Sequence, residues 1–279
     1  MSTPQTVALG AIAGFTIFLG LPVGRMRSQN IRLKTFLTGI SAGILVFLLF
    51  DILEHATGPV EDAINAIRDS HHGYGHLAAI ASVYAGGIAV GLMGLLYVSR
   101  MWRRRRSPAS LGPGAMAVAE ADEARAREHE LLHLGMSIAL GIGLHNFSEG
   151  LAIGQAAHTN KVSLALLLVI GFALHNATEG FGIIGPLAAG NIRASWKWLG
   201  IAGLIGGGPT FLGTLLGTTV TSDLVFVGFL ALAAGAILYV IGELFASGRK
   251  LTWDWMLWGI LAGFLIGLAA DMILVAAGA

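Results

Sequence analysis

A helix needs about 20 apolar residues to cross the hydrocarbon core of a bilayer, and this chain of 279 residues holds eight such stretches. They run roughly over 4–24, 34–56, 76–100, 131–157, 161–188, 198–220, 223–246 and 254–278. The expected fold class is therefore an all-α integral membrane protein with eight transmembrane helices. It is read as a single transmembrane domain over 1–279, with a soluble segment at 101–130 between spans 3 and 4. Composition agrees, since 12% of residues are charged and 55% are hydrophobic, against about 25% charged in soluble domains. The first stretch lacks a basic start and runs into Arg25 and Arg27, so it reads as a span rather than a cleavable signal.

Basic residues set the orientation. Fifteen of the 17 Lys and Arg fall in the loops after spans 1, 3, 5 and 7; only Arg68 and Lys161 lie on the other side. Cytoplasmic loops collect Lys and Arg. The odd-numbered loops are thus expected in the cytoplasm and both termini outside it, which requires an even number of spans. Because the basic residues sit at membrane edges, the net charge of +1 implies no nucleic-acid partner. The segment after span 3 opens with a Pro- and Gly-bearing stretch at Ser107–Gly114 and continues into a charged, helix-forming stretch at Glu120–Glu130. The outer loop between spans 2 and 3 carries His71, His72 and His76, a cluster able to bind metal loosely.

The chemistry lies inside the membrane. Span 4 contains His145-Asn-Phe-Ser-Glu149-Gly and span 5 contains His175-Asn-Ala-Thr-Glu179-Gly. Residues four apart share a helix face, so each helix offers one imidazole and one carboxylate to the same side. Asn146 and Asn176 lie at the edge of that face. The connection between the spans is centred near Asn160, which puts His145 and His175 at matching depth, roughly 22 Å from the turn at about 1.5 Å per residue. The two glutamates then run in opposite directions, and side-chain reach or a kink must close the gap. Two buried carboxylates repel unless a proton or a cation lies between them. With no cysteine in the chain, a metal would have His, carboxylate, amide or Met to hold it. Two His and two carboxylates suit Zn, Fe, Mn or Cd rather than Mg or Cu(I). Ser148 and Thr178 are placed to bond back to the carbonyls of Leu144 and Leu174 and bend their helices.

Two such motifs on the fourth and fifth of eight spans, behind a soluble loop, resemble the ZIP (Zrt-, Irt-like) metal transporters. Span 2, from Ala42-Gly43-Ile44 to Asp51-Ile-Leu-Glu54-His55, and span 7, from Ala234 to Leu244, are similar to that family's second and seventh helices. The resemblance implies a 3+2+3 arrangement with an inverted repeat relating the first and last three spans. It further implies uptake of divalent metal into the cytoplasm across a cell membrane, a homodimer, and rigid-body movement of spans 1, 4, 5 and 6 against 2, 3, 7 and 8. Three positions depart from the family. Its motif proline is Ser148 or Thr178 here, an acidic residue of many relatives is Asn176, and a Glu before the span 6 proline is Gly208. The last two remove negative ligands from a second, adjacent position, so a single site is expected: His145, Asn146, Glu149, His175, Asn176 and Glu179. No prosthetic group is expected, the metal being the cargo.

Other ionisable groups line up along a path. Asp51, Glu54 and His55 at the outer end of span 2, with Asp271 on span 8, form a candidate entrance. Glu243 on span 7, with His129 and His133 at the start of span 4, forms a candidate exit. His129-Glu-Leu-Leu-His133 also matches the zinc-protease pattern HExxH. An intramembrane metalloprotease is thus one alternative, and a proton-coupled carrier of an organic solute is another. Neither explains the doubled motif as directly, and the chain is not expected to be an enzyme.

Overall fold

The computed structural model describes residues 2–25, 30–70, 72–104, 115–158, 162–219, 222–248 and 252–276. His71 and the Ser107–Gly114 stretch lie outside these. The described residues form helices α1 (Thr3–Phe15), α2 (Ile17–Gly20), α3 (Ile31–Ser70), α4 (Tyr74–Arg104), α5 (Ala115–His158), α6 (Val162–Ala189), α7 (Trp196–Gly217), α8 (Asp223–Gly248) and α9 (Trp253–Ala276). Eight of the segments they make are long and apolar enough to cross a membrane. Span 1 is α1 and α2 together, interrupted at Thr16, and spans 2 to 8 are α3 to α9. A 3-10 turn at Leu21–Arg25 ends span 1.

Two helices outrun the bilayer. With 40 residues, α3 is about 60 Å long, twice a hydrocarbon core of about 30 Å. The helix runs on to Ser70, past the apolar stretch that ends near residue 56. Hydropathy marks only the stretch that lipid requires. The polar continuation stays helical because it has its own packing, where Ala63 meets Ile80 of α4 and Val227 of α8. The 44-residue α5 likewise starts at Ala115 and continues unbroken through the motif to His158. Exposed Trp196, Trp253 and Trp255 begin α7 and α9 on the basic side, where amphipathic rings mark the membrane boundary.

The inverted repeat is visible in the pairings. Span 2 packs on span 8 and span 3 on span 7; span 4 packs on span 6 and span 5 on span 1; span 4 meets span 7 and span 5 meets span 2. Exchanging 1 with 6, 2 with 7, 3 with 8 and 4 with 5 maps each contact in these three pairs onto its partner. This is the 3+2+3 arrangement.

Glycine decides how close these pairs come. A Cβ on Gly43 would run into the Ile260 carbonyl, and one on Gly235 into that of Ile88. In the other group, a Cβ on Gly143 would strike the Ile205 carbonyl, and Gly14 and Gly207 face each other's carbonyls where spans 1 and 6 cross. Such backbone-to-backbone packing is how membrane helices gain contact without a hydrophobic drive. Between the two groups the contacts run through side chains instead. Gly182 stands 3.9 Å from Leu45, and Gly141 stands 3.3 Å from Ile237, by their would-be Cβ atoms. Gly185 lies against the hydroxyl of Ser41.

Candidate metal site

The motifs of α5 and α6 face each other in the interior of the bundle. Asn146, Asn176 and Glu179 are fully buried, and His145 and Glu149 nearly so. Within α5, His145 Nε2 lies 3.3 Å from Glu149 Oε1, so the four-residue spacing does bring imidazole and carboxylate together. The side chain of His175 lies outside the described residues. Its backbone occupies the matching place on α6, one turn before Glu179.

The register between the two helices differs from expectation. Asn146 Nδ2 donates to Glu179 Oε2 at 3.1 Å, and in an antiparallel pair that register sets Asn176 toward the Glu149 end. The His-Asn end of each motif therefore meets the Glu end of the other. Equal counting from the turn had placed the two histidines opposite each other. Side chains on a helix lean toward its N-terminus. In an antiparallel pair the two sets lean toward one another, which offsets facing residues by about one turn. The offset removes the difficulty of glutamates diverging, because each carboxylate now has the other helix's amide or imidazole as neighbour.

Both asparagines also reach a main chain. Asn146 Nδ2 donates to Gly206 O at 3.0 Å, and Asn176 Nδ2 donates to Ala13 O at 3.0 Å. Among the described residues their Oδ1 atoms, Glu149 Oε2 and the Ser148 hydroxyl have no hydrogen-bond partner. Buried polar atoms in that state point to an ion or water that completes them. The expected back-bond of Ser148 to Leu144 is thereby corrected, and α5 is helical straight through it. Five buried ionisable or amide side chains without a compensating cation are costly in lipid, so the donor set fits a cation.

The candidate entrance divides. Asp51 is half-buried on α3. His55 Nδ1 sits 3.5 Å from Asp51 Oδ1. Glu54 is exposed, and Asp271 is half-buried on α9. On the basic side, Glu243 Oε1 accepts a bond from Tyr239 OH at 3.1 Å. His129 is exposed and His133 half-buried on the long arm of α5. Of the outer-loop histidines, His76 lines a cavity of about 240 Å³ with Asp62 and Asp223. Among the described residues no three His, Asp or Glu side chains are grouped closely enough to hold an ion together; the His175 side chain is not one of those described. Sequence reasoning missed the Gly206 and Ala13 carbonyls, whose only sequence signal is a Gly-rich run before Pro209 and none in span 1.

The fold is that of a polytopic helical membrane protein with one buried imidazole–carboxylate pair, His145 and Glu149, in its interior. Residues 110–269 match the sequence model described as ZIP Zinc transporter. The chain is 25% identical over 272 residues to zinc transporter ZupT of Oceanobacillus iheyensis, covering 94% of this chain and 96% of that one. It is 30% identical over 259 residues to ZupT of Enterobacter sp. (90% and 88%), and 29% identical over 252 residues to ZupT of Lysinibacillus sphaericus (85% and 87%). The chain belongs to the ZIP family: it is a multi-pass transporter of divalent metal, not an enzyme.

Proposed function

We propose that this protein carries Zn²⁺, and with it Fe²⁺, Mn²⁺ or Cd²⁺, into the cytoplasm across a cell membrane through one site made by His145, Glu149, His175 and Glu179. Asn146 and Asn176 offer oxygen at its flanks. The observation that carries this reading is the crossed pairing of the motifs, in which Asn146 bonds Glu179 while His145 lies against Glu149, all in the bundle interior. Ligands of borderline hardness in a site shut off from water suit zinc and its neighbours. Metal enters past Asp271, Glu54, His55 and Asp51 and leaves past Glu243 toward His133 and His129. Both termini lie outside, as the basic loops require, and the working unit is a homodimer.

Spans 1, 4, 5 and 6 move as one body against 2, 3, 7 and 8. The packing supports this, because glycine-mediated backbone contacts join helices within each group and side chains meet between them. Sliding past side chains costs less than separating interlocked backbones. The test is uptake into proteoliposomes with Zn²⁺, Fe²⁺, Mn²⁺ and Cd²⁺ in competition, with flux measured in both directions. Flux that none of these ions supports, or that survives replacement of His145 and Glu179 together, defeats the proposal.

A further inference from the structure

The two asparagines make the same unexpected bond twice. Asn146 on span 4 holds Gly206 O on span 6, and Asn176 on span 5 holds Ala13 O on span 1. The exchange of 4 with 5 and 6 with 1 relates these bonds. Each acceptor immediately precedes a crossing glycine, Gly207 or Gly14, where spans 1 and 6 meet backbone to backbone. Each also sits where its helix is weakened. Pro209 lacks the N–H that Ile205 O would accept, and α1 stops at Phe15 while the Thr16 hydroxyl caps Ala13 O at 2.7 Å.

We infer that Asn146 and Asn176 are positioning residues that fix the metal-bearing helices to the crossing of spans 1 and 6. The hydrogen-bond direction sets the requirement. A backbone carbonyl only accepts, so its partner must donate, and an amide NH₂ does so while leaving its Oδ1 free to face the ion. An aspartate keeps the oxygen and adds charge, yet offers no donor at neutral pH and sets acceptor against acceptor at Ala13 O. The two roles of an asparagine here thus come apart on substitution by aspartate. A residue serving only as ligand improves, since a carboxylate binds a divalent ion better than an amide oxygen does. A clamp fails, and the ion stays bound to helices no longer coupled to the two that move with them.

This inference rests on the motif pair being the metal site. The experiment uses full-length protein in proteoliposomes and Zn²⁺ as the probe. Asn176→Asp is expected to bind Zn²⁺ no more weakly than native by calorimetry and to leave KM for uptake no higher. Its kcat should fall at least tenfold, and amide hydrogen exchange over residues 10–20 of span 1 should rise at least fivefold. Asn146→Asp is the second variant, read over residues 203–209 of span 6, and it decides if the first does not fold. Asn→Asp protein with kcat within twofold of native overturns the inference alone. So does a fall in kcat with unchanged exchange, which would be the mark of slow release from a tighter site. Native protein that binds no Zn²⁺ takes down the site reading and this inference with it.

Discussion

Glu179→Gln separates charge from shape at the centre of the site. The carboxylate accepts a 3.1 Å bond from Asn146 Nδ2, and a glutamine carbonyl can accept the same bond with the same side-chain length. Asn146 also keeps its bond to Gly206 O, so the packing of spans 4, 5 and 6 is retained and one negative charge is lost. Two unit charges about 4 Å apart interact by about 4 kcal/mol at an effective dielectric near 20, and a divalent ion doubles the product of charges. If desolvation of the carboxylate returns half of that, about 4 kcal/mol remains, roughly a thousandfold in Kd at about 1.4 kcal/mol per decade. Calorimetric titration of Zn²⁺ into purified native and variant protein measures it, with thermal melts to show that the fold survives. A variant that is folded and binds within tenfold of native refutes the assignment of Glu179 as a ligand.

Three further outcomes follow from the same geometry. Native protein should bind one tight intramembrane Zn²⁺ per chain, whereas Gly208→Glu, whose Cβ would meet nothing within 4 Å, should add a second; calorimetric stoichiometry decides. Protons compete with metal for imidazole and carboxylate, and an unperturbed His titrates near ~6.5, so Zn²⁺ affinity should fall steeply from about pH 8 to 5 with more than one proton taken up per ion lost; Glu149→Gln should flatten that slope, and a flat native profile would contradict the ligand set. Gly185→Ala puts a methyl group into the Ser41 hydroxyl where span 5 meets span 2, and overpacking of about 1–3 kcal/mol should cut uptake several-fold; Ser41→Gly added to it should restore the rate, and a double variant as slow as the single would show that the clash is not the cause.

Span number, fold class and the approach of His145 to Glu149 are legible in the sequence because each rests on a short-range rule: apolar length for a span, four-residue spacing for a shared face. What resisted was three-dimensional. The end of α3 at Ser70 lies in a polar stretch held by Ala63, Ile80 and Val227 from three helices, which hydropathy does not register. The pairing of Asn146 with Glu179 depends on the lean of side chains in two opposed helices, which counting from the turn ignores. The bond from Asn176 to Ala13 O has no sequence signature, because a carbonyl acceptor is the same in every residue.

The 44 residues of α5 run from Ala115 to His158 without interruption. His145 is therefore mounted on the same rod as the exposed arm that carries His129. An α-helix is stiff along its axis, with a fixed rise of about 1.5 Å per residue. A displacement of the ion-holding segment within the bilayer must then appear, with equal size and sign along that axis, at the arm outside it. The arm is in effect a dipstick: a fluorophore or spin label near Arg125 would report the depth of the cargo from a position that water-soluble reagents can reach.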